Sequence, residues 1–230
     1  MIRIHNGEAI RLQGTYDAEK QLFTFETDRF STYALTYQET VIIKTYNDFH
    51  HLRLTAKAGK TSQTLSYKKV GNVDGYLIYG GKCGEEMKLL AEVSGDTTSC
   101  KVKGLKQGTN YKYQVKAYRM IDGEKVTIMT SKVIHTITDS KTYANPTEVT
   151  SKTSSLKLEE GKSKTVTFKV VLPKNKKLKE HAALLRYESS NKEIATVNSK
   201  GKVTAKTKGT SYIYAYAQNG VYRRIKVTVK

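Results

Sequence analysis

An all-β fold, built as two small sandwiches in tandem behind a short partial β-domain, is what this sequence predicts, and three observations carry the prediction. Sixteen tyrosines, with abundant Thr and Val, favour strands, while two prolines and no tryptophan argue against a disordered chain. Large residues recur at period two in short runs, most plainly in Ile194–Ala217 (IATVNSKGKVTAKTKGTSYIYAYA), where Gly201 and Gly209 break the run at turn positions. Finally, 230 residues of which 38% are hydrophobic suit two modest cores better than one large one.

Residues 1–46 hold short alternating stretches at Ala9–Leu12, Leu22–Glu26 and Ser31–Tyr37, divided by Gly14-Thr15-Tyr16-Asp17 and Thr27-Asp28-Arg29. Strands this short rarely bury enough surface to stand alone, so the segment reads as the tail of a larger upstream domain. Met1-Ile2-Arg3-Ile4-His5 enters strand-like sequence directly, without a basic stub and apolar core, so the chain reads as a piece of a longer one. It contains no run of about eighteen apolar residues that would span a membrane.

Residues 47–140 carry seven predicted strands: Leu52–Ala56, Leu65–Lys69, Gly75–Tyr79, Leu89–Val93, Thr98–Val102, Tyr111–Tyr118 and Lys125–Thr138. Turn signals separate them at Gly59, Gly71-Asn72, Gly80-Gly81, Gly95-Asp96, Gly108 and Asp122-Gly123. Asp122-Gly123 predicts a tight hairpin, because glycine takes positive φ without steric cost. Val73–Tyr79 (VDGYLIY) and Gly104–Tyr118 (GLKQGTNYKYQVKAY) resemble the third strand of a fibronectin type III domain and the turn into its sixth. That resemblance implies that Leu105 enters the core and that the Tyr111 hydroxyl bonds back across the corner. Tyr67 stands where the family usually buries a tryptophan, so its hydroxyl needs a partner if buried.

The polar, proline-ended stretch Asp139–Pro146 predicts a linker of limited bending before residues 147–230. Beyond it, Val166, Phe168 and Val170 alternate with Thr167, Lys169 and Val171. Pro173–Ala183, with Lys174, Lys176, Lys177 and Lys179, is more basic than a connection requires, and Leu178–Leu185 admits a short helix. The Ile194–Ala217 run resembles the C-terminal half of a group 2 bacterial immunoglobulin-like domain, with Tyr187 where that family usually has tryptophan. Phe25–Tyr37 resembles the closing strands of a domain common in surface proteins of Gram-positive gut bacteria. The expected architecture is therefore tandem immunoglobulin-like β-sandwiches preceded by a short partial β-domain, joined end to end as self-contained beads.

A formal charge of +19, from 40 Lys+Arg against 21 Asp+Glu, raises nucleic acid as a partner. The distribution argues against it: lysines fall one or two per strand, as at Lys112, Lys116, Lys202 and Lys206, which describes solvated faces. An anionic cell-wall polymer or acidic glycan is the electrostatic partner this pattern admits. Cys83 and Cys100 leave two readings open, a bridge contributing on the order of 3 kcal/mol in the chain-entropy model or a pair of small reduced side chains.

His5, His50, His51, His135 and His181 lack the paired spacing and companion cysteines of a zinc motif, and His50-His51 on a strand would point to opposite faces. Glu159-Glu160 and Asp122-Gly123-Glu124 lack the further oxygen ligands of a calcium loop. Without a Gly-x-Ser-x-Gly elbow, phosphate loop or cleft-forming insertion, no catalytic residue, metal or cofactor is expected. Tyr118, Tyr214 and Tyr222 are expected on outward positions, able to stack on sugar rings beside Arg223 and Arg224. Strand tyrosines also stabilise cross-strand pairs with no ligand at all.

The resemblances imply an extracellular or Gram-positive bacterial cell-surface protein with a non-catalytic role in adhesion and display, in contact with a host or bacterial surface glycan or protein. Two alternatives stay open: accessory spacer or carbohydrate-binding modules of a secreted polysaccharide-degrading enzyme, and polyanion binding through the lysine-rich surface.

Overall fold

The structure is a computed structural model that describes residues 2–5, 8–17, 19–20, 22–28, 32–34, 46–179 and 181–230, and every regular element among them is a strand. The chain divides into two compact units, Met1–Ile43 and Lys44–Lys230. The first holds β1 (Ile2–His5), β2 (Glu8–Arg11), β3 (Gly14–Asp17), β4 (Leu22–Phe25) and β5 (Thr32–Ala34). Strands β2-β1-β5 form one sheet and β3-β4 a separate hairpin. Of the stretch expected at Ser31–Tyr37 only Thr32–Ala34 is described. Arg29–Ser31 and Leu35–Tyr37, within the resemblance drawn for Phe25–Tyr37, lie outside the described residues.

The second unit begins with β6 (Tyr46–Asn47), β7 (Leu54–Ala58), β8 (Gln63–Tyr67), β9 (Gly75–Lys82) and β10 (Lys88–Ser94). It continues through β11 (Ser99–Val102), β12 (Asn110–Ile121), β13 (Glu124–Thr130) and β14 (Ile134–Ile137). One sheet runs β10-β9-β12-β13-β6, with β14 also on β12, and the facing sheet runs β11-β8-β7. Alternate residues fill the space between: Leu54 and Ala56, Leu65 and Tyr67, Tyr76 and Ile78, and Tyr113, Val115 and Ala117 are all buried. Each large apolar side chain so placed contributes about 1.5–3 kcal/mol relative to exposure.

Two local features make this sandwich close as the sequence expects. Asp122 (φ 52°) and Gly123 (φ 83°) both adopt left-handed backbone between Ile121 and Glu124, the conformation that matches the twist of the flanking strands. At the corner before β12, the Lys106 N–H donates to the Tyr111 hydroxyl at 2.9 Å. Leu105 is only half-buried, its N–H bonded to the Thr61 carbonyl at 2.9 Å, so it stays at the rim of the core. Tyr67 is buried with a hydroxyl that makes no hydrogen bond to protein. Tyr111→Phe is therefore expected to cost about 1 kcal/mol, and Tyr67→Phe nothing or less, as read from midpoints of urea unfolding.

The single strand expected at Lys125–Thr138 is two. β13 and β14 take successive halves of the same edge of β12, and Ser131 makes the break. Its N–H donates to the Val115 carbonyl at 2.8 Å and its hydroxyl accepts the Val115 N–H at 2.9 Å, so one residue completes the ladder that a continuous strand would have made.

The second sandwich contains β15 (Glu148–Thr150), β16 (Ser155–Leu158), β17 (Ser163–Thr165), β18 (Lys169–Val171) and β19 (Leu185–Ser189). It ends with β20 (Ala195–Val197), β21 (Lys202–Ala205), β22 (Gly209–Ala217) and β23 (Tyr222–Val229). Sheet β16-β23-β22-β19 faces β17-β21-β20, and β15 pairs β18. Val149, Val166, Phe168, Val203, Ile213, Ile225 and Val227 lie in its core.

Of two expectations about this half, one needs correction and one is exceeded. The described residues of Leu178–Leu185 form no helix before β19, and just ahead of them the backbone at Lys177 is bridged to the connection at Tyr143. Its N–H donates to the Thr142 carbonyl at 2.9 Å and its carbonyl accepts the Ala144 N–H at 3.2 Å. Those same bonds go further than the limited bending expected of Asp139–Pro146 and tie the connection down. Lys176 Nζ donates to the Lys141 carbonyl at 2.9 Å. Buried Asn145 clasps Ile137, accepting its N–H at 2.8 Å and donating to its carbonyl at 2.7 Å. Part of the excess lysine in Pro173–Ala183 thus straps the connection down.

Candidate functional site

Strand β22 sends its alternate residues in opposite directions, as a strand must. Ile213, Ala215 and Ala217 enter the core of their own sandwich, whereas Tyr214 and Tyr216 join the buried core of the preceding one, with half-buried Tyr212 packed against it. The two sandwiches are thus not self-contained. The Tyr216 ring stacks on Phe49 with centroids 4.1 Å apart and planes 17° from parallel, and the Arg186 guanidinium lies 4.5 Å from the Phe49 centroid on β19's side. Stacked aromatics with a cation over them are attractive through the ring quadrupole as well as through area removed from water.

Backbone groups cross the seam too. Ala56 N–H donates to the Asn219 carbonyl at 3.2 Å, and His135 N–H to the Gln218 carbonyl at 2.8 Å. Arg186 Nη1 donates across it to the Val133 carbonyl at 2.6 Å, and at the start of the second domain Asn219 Nδ2 holds the Pro146 carbonyl at 2.9 Å. The β22–β23 turn approaches so closely that a Cβ on Gly220 would sit 1.9 Å from the Leu54 carbonyl oxygen.

The five residues expected to form an outward contact are dispersed by this arrangement. Tyr118 is 7% exposed and donates to Glu92 Oε1 at 2.7 Å within the first sandwich, and Tyr214 is 2% exposed in the seam, so neither is an outward residue. Tyr222 is 37% exposed and Arg224 exposed, on the same face of β23. The Tyr222 hydroxyl accepts from Arg53 Nη1, whose guanidinium also lies 4.8 Å from the Tyr222 ring centroid, and the Arg224 guanidinium covers Tyr212 at 4.7 Å. Arg223, one position out of phase, points to the opposite face.

Asp48, His50, His51 and Glu188 edge the seam. His50-His51 lies in a turn rather than on a strand, and His51 Nδ1 is 2.8 Å from Asp48 Oδ2. Glu188 accepts the Phe49 N–H at 3.3 Å, yet burial first and the Asp48 charge second push its carboxyl up to about 7, against an ordinary 4.5. The folded chain thus binds this proton more tightly than the unfolded chain does. The stability it contributes is whole below about pH 4.5 and is lost as pH rises through 7. His135, lowered to about 4 by burial, acts in the opposite sense: its contribution is full above about pH 6.5 and is lost as pH falls towards 4. Glu188→Gln is expected to remove the first of these trends. The variant should gain on the parent chain in urea midpoint at pH 8 but not at pH 4.5.

Sequence reasoning missed Phe49, Arg186, Glu188, Tyr216 and Gly220, and also one side-chain cluster. Cys83 and Cys100 are both free thiols. Cys100 packs against the first core beside Leu65, whereas Cys83 meets His135 and His181.

A family model described as "Fibronectin type III domain" matches residues 49–131, and one described as "Bacterial Ig-like domain (group 2)" matches residues 146–228. Among solved structures the chain is similar to one titled "Myokine structure", at 21% identity over 38% of this chain and 93% of that one, with a TM-score of 0.32. Another is the FN5 domain of Drosophila Lar, at 24% identity over 41% of this chain and 98% of that one, with a TM-score of 0.31. No curated protein matches the chain. Among the described residues no helix is long and apolar enough to cross a membrane. Residues 49–131 are a fibronectin type III domain, and residues 146–228 that follow them are a group 2 bacterial Ig-like domain.

Proposed function

We propose that these two domains form a non-catalytic adhesion and display module of a bacterial cell-surface protein, working outside the cell as one docked piece. Both families are of the extracellular type and typically structural rather than catalytic. The observation that carries the reading is the seam itself: Tyr214 and Tyr216 of one domain complete the core of the other. A docked pair presents its surface without the orientational freedom that two hinged beads would lose on binding. Arg224 and the exposed part of Tyr222, whose ring already carries the Arg53 guanidinium, offer two cations flanking an aromatic edge to a surface glycan, protein or anionic cell-wall polymer.

The whole chain is to be passed over immobilised glycans, host surface proteins and purified anionic cell-wall polymer at physiological salt. Saturable binding to one of them, weakened in Tyr222→Ala/Arg224→Ser, is the expected result, and no binding to any of them would overturn the adhesive role. A steep loss of affinity with added salt would assign the contact to polyanion attraction.

A further inference from the structure

Cys83, in the turn after β9, and His135, on β14, come from the first sandwich, while His181 comes from the second. One ligating atom from each lies within 4.8 Å of the other two, at an open cleft of about 610 Å³ between the domains. Cys83 Sγ is 3.6 Å from His135 Nδ1. Tetrahedral coordination with Zn–S of about 2.3 Å and Zn–N of about 2.0–2.1 Å places sulfur and nitrogen roughly 3.6 Å apart. The two imidazoles meet edge to face with centroids 5.1 Å apart.

The nitrogen lone pairs are also set for a metal. His181 Nδ1 is 3.2 Å from the Lys179 carbonyl, which can only accept, so that nitrogen carries the proton. The other nitrogen, Nε2, is buried and has no hydrogen-bond partner in the protein. Metal-ligating histidines are held in this way, one nitrogen donating to a carbonyl and the other left bare for the ion. His135 is fixed from behind by its N–H bond to Gln218, and Cys83 by its N–H bond to the Asn110 carbonyl at 2.9 Å.

We propose that Cys83, His135 and His181 form a three-ligand site for a borderline-soft transition-metal cation of the Zn²⁺ class, completed only when the two domains are docked. One thiolate and two imidazoles suit Zn²⁺ or its neighbours rather than the hard Mg²⁺ and Ca²⁺. On binding, the Cys83 S–H bond breaks, the sulfur pair forms the metal bond and the proton leaves to solvent. The fourth position faces the cleft and is left to water or an anion. Because His181 belongs to the second domain, the ion adds a tether across the seam and stabilises the docked form in proportion to the metal bound.

The test titrates the reduced, metal-free full chain with Co²⁺ alone under anaerobic conditions. A single saturable site should develop thiolate-to-cobalt charge-transfer absorption, be emptied by Zn²⁺ and ignore Mg²⁺. Cys83→Ser should abolish the charge-transfer band, His181→Ala should weaken binding by about tenfold or more, and Cys100→Ser should leave both unchanged. Should Cys83→Ser misfold, protection of Cys83 from iodoacetamide by Zn²⁺ in the parent chain, with Cys100 as internal control, reads the same bond. Absence of the charge-transfer band in the parent chain, or binding indifferent to His181→Ala, would overturn the site.

Discussion

Gly220→Ala is expected to separate the two domains. Gly220 sits at φ +86° in the β22–β23 turn, where its N–H donates to the Ala217 carbonyl at 3.0 Å, so any side chain begins with the cost of a left-handed backbone, about 1–2 kcal/mol. The larger effect is steric. A Cβ would stand 1.9 Å from the Leu54 oxygen and 3.0 Å from its carbonyl carbon, and neither is the end of a flexible side chain. The backbone of one domain must withdraw from the other, taking with it the Ala56–Asn219 hydrogen bond. A lower melting temperature and a larger radius of gyration by small-angle scattering are the expected readouts, and an unchanged scattering profile would show that the turn does not bear on Leu54.

Tyr216→Ala should be the most destabilising single truncation in the seam, at about 3–5 kcal/mol, the range for removing a large aromatic from a packed core. The side chain is fully buried and stacks on Phe49, so its loss opens space in the first domain's core from a residue of the second. Tyr216→Phe should behave in the opposite way. The Tyr216 hydroxyl is buried without a hydrogen-bond partner in the protein, so removing it relieves a desolvated polar group and leaves the ring contact intact. Urea unfolding of the two variants beside the parent chain checks both claims, and a Tyr216→Phe loss as large as that of Tyr216→Ala would contradict the reading of the ring as the anchor.

What the sequence made legible is what depends on near neighbours. Asp122-Gly123 announces a hairpin because the turn's own dihedrals demand it, and Tyr111 announces the corner because its hydroxyl needs only to reach Lys106. The seam is invisible at that range. Alternation along Tyr212–Ala217 says that the tyrosines share a face, but it does not say whether water or another domain covers that face, so the outward position expected for Tyr214 gives way to burial in the seam. Phe49 meets the Glu188 carboxylate across 139 residues, and Cys83 meets His135 across 52, with no spacing motif to mark either encounter. The same holds for Asp139–Pro146, polar in composition yet clasped by Asn145 and Lys176 once folded.

Docking of the two domains rests on Phe49 and Tyr216 touching across their boundary, and a double-mutant cycle in urea measures that contact. Phe49→Ala, Tyr216→Ala and the double variant should be non-additive, with a coupling of about 0.5–1.5 kcal/mol for a stacked pair. Losses that add to within about 0.3 kcal/mol would mean that the two rings do not meet and that the domains are not docked in this way.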